Sequence, residues 1–566
     1  MVKRILSLLN RETGTVHEAA LLLGFFTLLS QVLALVRDRS LAHFLGPSAN
    51  LDVYYAAFRI PDFLYVSIGS LVSITVLIPF LIKRMENGGD HTENKKSAQV
   101  FMNQVFTVFF ATIIVLSGIV ALLMPVFAPM IAPGFSDVQL LELVRMSRIM
   151  LLSPLFIGIS NVFGTITQYY KNFFVYALSP VFYNIGIIIG VVFLLPVFGI
   201  YGLALGVVIG AFLHFAIQIP VIIKHGFSPK LVRRIDWTMI REVTSVSLPR
   251  TITLSLGSLT LIAIVALASM VDEGSISIFT FAYNLETVPL NIIGVSYSIA
   301  AFPVLAQAFA RGNVDRFIGH TISTARQIIF WSLPLTVFFI VIRAQIVRVI
   351  LGSGRFSWSD TRLTAAALAL FAVSIVTQGL VLLFVRAYYA AGKTRRPLIV
   401  NLIASVFTIT LSFILVKLYV FSPNMRYFIE SLLRVDKTAQ STILMLPLAY
   451  TIGSLINFFA LWYLYRRDFL RGKRAQLQGV FFQSLVGAFA LGISAYGTLA
   501  LLGPIFGLST FWGVFGQGFI AGVVGILVCT FVLLRLGNPE IKTVLATLRH
   551  KLWGTASVTP GPEELA

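Results

Sequence analysis

The sequence predicts an all-α polytopic membrane protein with about 14 transmembrane helices, as two parallel six-helix lobes plus a C-terminal helix pair. Three observations predict it. The first is composition: 57% of the 566 residues are hydrophobic and only 12% charged, with a mean hydropathy of +0.89. Apolar runs recur from end to end, each near the roughly 20 residues needed to cross about 30 Å of hydrocarbon. The second is an alternation of basic connectors. The third is a weak internal repeat. The composition excludes a soluble domain.

The apolar runs give fourteen spans: 18–45, 52–83, 98–132, 139–170, 173–197, 199–223, 243–271, 276–309, 319–351, 363–391, 397–420, 441–465, 478–503 and 509–535. Several exceed 25 residues, so they tilt, kink or extend beyond the hydrocarbon. With the N-terminus inside, 28 Lys and Arg fall in the inner connectors and termini and eight in the outer connectors, leaving seven within spans. Positive charge concentrates on the cytoplasmic side, so both termini are expected there. The same asymmetry accounts for the net charge of +20. It reads as anchoring to anionic lipid rather than as a nucleic-acid surface.

The repeat joins the ends of spans two and eight, GSLVSITVLIPFLIKRMENGG (69–89) and IGVSYSIAAFPVLAQAFARGN (293–313), at an offset of 224 residues. Pro79 then meets Pro303, and Gly88 meets Gly312. Tyr169 and Tyr388, near the ends of spans four and ten, lie 219 apart. An offset of six helices keeps both halves in one orientation, and such a repeat locates the axis of motion in a transporter. The expected organisation is an interfacial N-terminal helix (1–17), an N-lobe (18–223), a basic cytoplasmic connector (224–242) and a C-lobe (243–420, closed by 441–465). An outer connector (421–440) interrupts the C-lobe. Spans thirteen and fourteen (478–535) and a cytoplasmic amphipathic helix and tail (536–566) complete the chain.

Charges inside apolar spans cost on the order of 2.5–3.5 kcal/mol each at a helix centre and mark function or pairing. They gather between residues 31 and 62: Arg37, Asp38, Arg39, Asp52, Arg59 and Asp62. Asp52 and Arg59, seven apart, share a helical face, and Pro61 between Arg59 and Asp62 bends the helix. Charges facing a wet cavity escape the desolvation cost; charges that snorkel or pair off would set topology alone. Arg250, after Pro249, is either an inner anchor or a cavity residue. Arg145, Arg148 and Arg386 read as interfacial anchors. Guanidinium groups bind phosphate and carboxylate bidentately, so a cavity lined by them takes an anionic ligand, and a lipid-linked one leaves its tail in the bilayer.

Catalysis finds little support. The sequence carries no Walker A loop, HExxH helix, nucleophile elbow or Asp-rich metal motif. The single cysteine, Cys529, excludes an internal disulfide, and His43 reads as a helix-end residue. Neither cofactor nor metal is expected. Transport would draw on an ion gradient, the membrane potential or downhill consumption of the product.

Three stretches carry a resemblance: SQVLALVRDRSLAHFLGPSANLDVYYAAFRIPDFL (30–64), NLETVPLNIIGVSYSIAAFPVLAQAFARGN (284–313) and RAYYAAGKTRRPL (386–398). The chain resembles the MurJ/MviN family of lipid II flippases, within the multidrug/oligosaccharidyl-lipid/polysaccharide exporter superfamily. The resemblance implies two lobes enclosing a cationic groove and alternating access in the bacterial inner membrane. The pyrophosphate–sugar head of lipid II would enter from the cytoplasm while its undecaprenyl tail stays in lipid. Partners implied are that precursor, membrane lipids and cell-wall synthesis proteins. Arg37, Asp38, Asp52 and Arg59 match family positions, whereas Gln31, Tyr65 and Asn284 stand where many members have basic residues. The expected cavity set is Arg37, Asp38, Asp52, Arg59, Arg250 and Asn284, with Arg250 compensating for the charge absent at Asn284. An exporter of another polyprenyl-pyrophosphate glycan, or a scaffold for wall-synthesis enzymes, are the alternative readings.

Overall fold

A computed structural model describes residues 16–86, 91–227, 229–435, 440–470, 477–507 and 510–553. The expected helix at 1–17 lies almost wholly outside these residues, as does the tail from 554. Among the described residues the chain is helical, without strands. Eleven helices among the described residues are long and apolar enough to cross a membrane, and the bent pair Trp358–Ala372 and Ile375–Ala390 makes a twelfth. The other two expected spans are the charged or broken ones. Span one is the helix Val16–Phe44. Span two is a succession of shorter pieces, Ala49–Ala57, Arg59–Leu64, Tyr65–Gly69, Ser70–Val72 and Ile74–Met85.

Pro61 explains the first interruption. It has no N–H to donate to the carbonyl of Ala57, so the helix breaks at Phe58. The orphaned Ala57 carbonyl accepts the Ser147 hydroxyl at 3.2 Å instead. Ser147 is completely buried, and in hydrocarbon such substitution of a side-chain donor keeps the broken helix viable. The two repeats share a further feature. A π-type turn occupies Tyr65–Gly69 in one and Asn291–Val295 in the other, within two residues of the repeat offset. A helix containing a proline follows each, Ile74–Met85 with Pro79 and Ser296–Ala310 with Pro303.

By internal contacts the chain divides into two compact units that do not follow chain order. The first comprises 1–285, 350–367 and 394–453; the second comprises 286–349, 368–393 and 454–566. In the first unit, Leu77, Leu81, Phe101, Met102, Ile113, Val162, Ile166 and Phe227 form a buried core joining spans two to four. Spans five and six meet along a glycine seam. A Cβ on Gly186 would strike the backbone of Gly210, and one on Gly206 would lie 2.5 Å from Gly190 Cα. Close backbone approach of this kind drives helix association where lipid removes the hydrophobic incentive.

The basic connector does not form a separate interfacial helix. Residues 229–236 are irregular and laced to span three: Asn103 Oδ1 accepts the Lys230 N–H at 2.9 Å, and Thr107 Oγ1 accepts that of Val232 at 3.0 Å. Trp237 opens the helix Trp237–Ser269, whose first turn is capped by the Asp236 carboxylate. The outer connector holds the helix Pro423–Leu433. In the second unit, Glu540 of the helix Pro539–Trp553 pairs with Arg326 at 2.6 Å. Gly294 and Gly379 repeat the close approach seen in the first unit, a Cβ on Gly294 falling 2.7 Å from Gly379 Cα.

Candidate functional site

The intramembrane charges of the first unit form two groups, both directed at the helix Ser275–Leu290. In the first group the Arg37 guanidinium binds Asp38, with Nη2 2.8 Å from Oδ1 and Nε donating to the same oxygen at 2.9 Å. Arg37 Nη1 donates to Asn184 Oδ1 at 3.3 Å. The second carboxylate oxygen of Asp38 accepts Asn284 Nδ2 at 3.0 Å. Asn184 is itself oriented, donating to the Ser30 hydroxyl at 3.1 Å and the Pro180 carbonyl at 3.2 Å. Asp38 is buried, while the Arg37 side chain keeps 21% of its surface open. A guanidinium on a side chain that is only partly covered can still receive an anion.

The second group lies on span two. Asp52 is only 2% exposed, and it does not pair with Arg59. It caps the N-terminus of Ser275–Leu290 instead. Its Oδ2 accepts the Gly274 N–H at 2.7 Å; its Oδ1 accepts the Ser277 N–H at 2.8 Å and the Ser277 hydroxyl at 2.5 Å. The arrangement is reciprocal. Glu273 Oε1 accepts the Ala49 N–H, the first residue of Asp52's own helix, at 2.9 Å. Each helix thus has an acid from the other at its positive end, where free N–H groups and the macrodipole favour negative charge. Gly274, at φ +84° and packed on Pro47, allows the chain to turn there.

Arg59 occupies the next turn of the same contact. Its Nη2 donates to Thr280 Oγ1 at 3.4 Å, and its buried Nε has no hydrogen-bond partner. An unsatisfied buried donor on a cation is an open valence for an anionic ligand. The i, i+7 spacing read from the sequence therefore places Asp52 and Arg59 on one face, against Ser277 and Thr280, in different roles.

The end of span one is also fastened. Arg39 Nη1 donates to the Ile350 carbonyl at 3.2 Å, and the His43 carbonyl accepts the Arg355 N–H at 3.0 Å. Tyr65 accepts a hydrogen bond from Asn161 at 3.4 Å. Arg148 Nε donates to the Ala121 carbonyl at 2.8 Å, and Arg386 Nη1 to the Val295 carbonyl at 3.2 Å. The side chain of Arg250 lies outside the described residues, and its backbone is inside Trp237–Ser269. Among the described residues no cluster of three His, Cys, Asp or Glu is placed to hold a metal ion.

An apolar cavity of about 790 Å³ opens beside this site within the same unit. Ile60 and Phe63 of span two, Phe127 of span three, Leu259 of span seven and Phe413 of span eleven are among its walls. Ile60 neighbours Arg59 in sequence, so an apolar surface and a cationic one adjoin on a single helical turn.

Sequence reasoning does not single out Glu286. It is a fully buried carboxylate and the only charged residue in Ser275–Leu290. That isolation is a signal available in the sequence.

The chain is similar to known proteins. The family model described as "Lipid II flippase MurJ" matches residues 41–512. The probable lipid II flippase MurJ of Buchnera aphidicola subsp. Schizaphis graminum is 28% identical over 459 residues, covering 80% of this chain and 83% of that protein. The lipid II flippase MurJ of Burkholderia cenocepacia is 27% identical over 390 residues, covering 67% and 74%. That of Rickettsia prowazekii, a probable one, is 25% identical over 408 residues, covering 71% and 78%. In fold, the chain resembles a solved lipid II flippase MurJ in an inward closed conformation. The TM-score is 0.70 at 22% identity, covering 93% of this chain and all of that one. It also resembles an inward-facing multidrug MATE transporter, with a TM-score of 0.61 at 13% identity, covering 79% and 96%.

Proposed function

We propose, because the chain belongs to the lipid II flippase MurJ family, that it carries lipid II across the bacterial inner membrane by alternating access. It is a multi-pass membrane transporter and not an enzyme. Its termini lie in the cytoplasm on this reading, as the Lys and Arg asymmetry requires. The observation that carries the substrate assignment is the Arg59 Nε, buried without a partner beside Thr280. Arg59, Arg37 and Asn284 receive the pyrophosphate and its sugar, and the undecaprenyl tail stays in apolar surroundings. Asp38 holds Arg37 in place, and Asp52 closes the contact between span two and the helix Ser275–Leu290. Opening to the far side breaks the Asp52 bonds and frees the N-terminus of that helix.

The cation-lined face favours a pyrophosphate lipid over a cationic drug, and the family match disfavours the scaffold reading. The test is depletion of the protein in a strain that depends on it, with lipid II quantified on each leaflet. Lipid II accumulates on the cytoplasmic leaflet after depletion, and Arg59→Ala or Arg37→Ala fails to relieve the block. Full wall synthesis in both variants would remove the cavity assignment.

A further inference from the structure

The helix Pro423–Leu433, which the function above leaves unused, is fastened at both ends and in its middle. At its start the Ser422 hydroxyl accepts the Met425 N–H at 3.4 Å, and Pro423 fills a first position that needs no N–H. In its middle a single oxygen, Oε1 of Glu430, accepts three donors. They are the Ser441 hydroxyl at 2.7 Å, Arg426 Nε at 2.9 Å and the Tyr419 hydroxyl at 3.1 Å. At its end Arg434 enters the left-handed region at φ +57°, and its carbonyl accepts Arg362 Nη2 at 2.6 Å. Ile429 and Val435 are buried. The ties reach the helices of spans ten and eleven and the segment that opens span twelve, so they fix the rotation of this short helix.

That rotation leaves an apolar surface uncovered. Phe428 and Leu432, four apart on one flank, are each 61% exposed, and Tyr427 is exposed beside them. The surface continues one already made for lipid. Leu418, Val420 and Phe421 are exposed in the last turn of the apolar span Arg395–Phe421, and Ser422 alone separates Phe421 from Pro423. Basic and aromatic groups frame it. Lys417 lies over the Phe413 ring at 5.7 Å, Arg426 and Arg434 are exposed, and Trp358, one turn before Arg362, is exposed as well.

We propose that Pro423–Leu433 is a membrane-interface anchor that lies in the outer leaflet. Phe428 and Leu432 sit among phospholipid acyl chains, and Arg426 and Arg434 stand level with the phosphates. The inference rests on the orientation proposed above only for the leaflet it enters. An apolar flank with aromatic and basic residues beside it is the composition of helices that lie in an interface. Continuity decides between lipid and a soluble partner, since the lipid-facing side of span eleven runs into Phe428 with no charged residue after Lys417 except the Arg426–Glu430 pair. Charge agrees. Arg362, Lys417, Arg426 and Arg434 are four of the eight basic residues that the sequence places outside. Phosphate groups supply their complement, and long basic side chains keep their stems in apolar surroundings while the charge reaches the headgroups. Such an anchor fixes the depth of spans ten to twelve in the bilayer.

The experiment uses the purified full chain in phospholipid vesicles without lipid II, so its outcome is independent of flipping. Cys529, the single cysteine, is changed to Ala, and a fluorophore is attached at Phe428→Cys or Leu432→Cys. Ile414→Cys on the exposed face of span eleven and Arg233→Cys in the exposed basic connector are the references. The quenchers are phospholipids brominated near the headgroup or near the chain end, and aqueous iodide. The anchor places Phe428 and Leu432 about 5–10 Å into the headgroup boundary, so bromines near the headgroup quench them most. Ile414, roughly 10 Å of rise before Phe421, answers best to bromines at the chain end, and Arg233 to iodide alone. Iodide quenching at Phe428 and Leu432 equal to that at Arg233, with no response to bromine, overturns the proposal and makes this face one for a protein partner or a second copy. Should Phe428→Cys fail to accumulate, Leu432→Cys decides by the same readouts. An impermeant thiol reagent on spheroplasts is expected to reach Asn424→Cys from outside. Protection there with bromine quenching intact would leave the anchor standing and count against the proposed orientation alone.

Discussion

Asp52 and Glu286 are both carboxylates buried in apolar helices, at 2% and 0% exposure, yet their surroundings differ. Asp52 has three donors shared between its two oxygens, two of them backbone N–H groups at a helix N-terminus. Glu286 has one oxygen satisfied and one without a partner. The first has a helix dipole and hydrogen bonds in place of its water. A fully satisfied buried charge is a fastener, and a half-satisfied one is a receptor. The arginines repeat the contrast: Arg37 is held by Asp38 and Asn184, while Arg59 keeps a free Nε.

The strongest way to break the comparison is to remove each carboxylate. Asp52→Ala orphans two backbone donors and a hydroxyl and should cost about 3 kcal/mol of stability. Glu286→Met replaces a half-satisfied charge with an apolar side chain of similar length, and should cost less than about 1 kcal/mol or stabilise. Thermal unfolding in detergent measures both, and equal losses would end the distinction between fastener and receptor. Next in size is transport. Arg59→Ala should lower flipping by about tenfold or more, since a charged hydrogen bond to pyrophosphate is lost. Arg59→Lys should recover only part of it, because an ammonium lacks the bidentate fork. Flipping in reconstituted vesicles, or growth of a dependent strain, reads this out; full activity of Arg59→Ala would put the anion elsewhere.

Smaller effects sharpen the picture. Glu273→Gln leaves the Ala49 N–H an acceptor but removes a charge at an exposed helix end, worth about 0.5 kcal/mol. Its loss should therefore be well below that of Asp52→Ala in the same assay. The smallest effect concerns Glu430 in the outer connector. Burial pushes its carboxyl upward, but hydrogen bonds from Ser441, Arg426 and Tyr419, with the Arg426 charge, outweigh that and hold it below the ordinary range. A carboxyl lowered on folding stabilises fully above its unfolded pKa, and that contribution disappears as pH falls through the folded value. Amide exchange in Pro423–Leu433 should accelerate slightly more on acidification in the wild type than in Glu430→Gln. Identical profiles would show that the ties to Ser441 and Arg426 do not matter.

Much was legible in the chain. The hydropathy pattern located spans three to fourteen, and the repeat fell beside matching π-type turns. Pro61 announced the break in span two, although the compensating donor, Ser147, lies ninety residues away in sequence. The charge spacing put Asp52 and Arg59 on one face, and the structure gives Asp52 to a helix end on span eight. Trp237, within the expected basic connector, opens the helix of span seven because Asp236 caps it.

What the sequence determined by itself is what sums along a chain: enough apolar length to cross the bilayer, and too little charge to live in water. Tertiary structure decided which donor each buried charge would find. Asp38 met Asn284, Asp52 met Ser277, and Glu286 met Gln378, at separations of 246, 225 and 92 residues. Hydropathy is local and additive, so it survives in the sequence. Hydrogen-bond partnership in a low-dielectric interior depends on positions within about 3 Å, which the fold alone supplies.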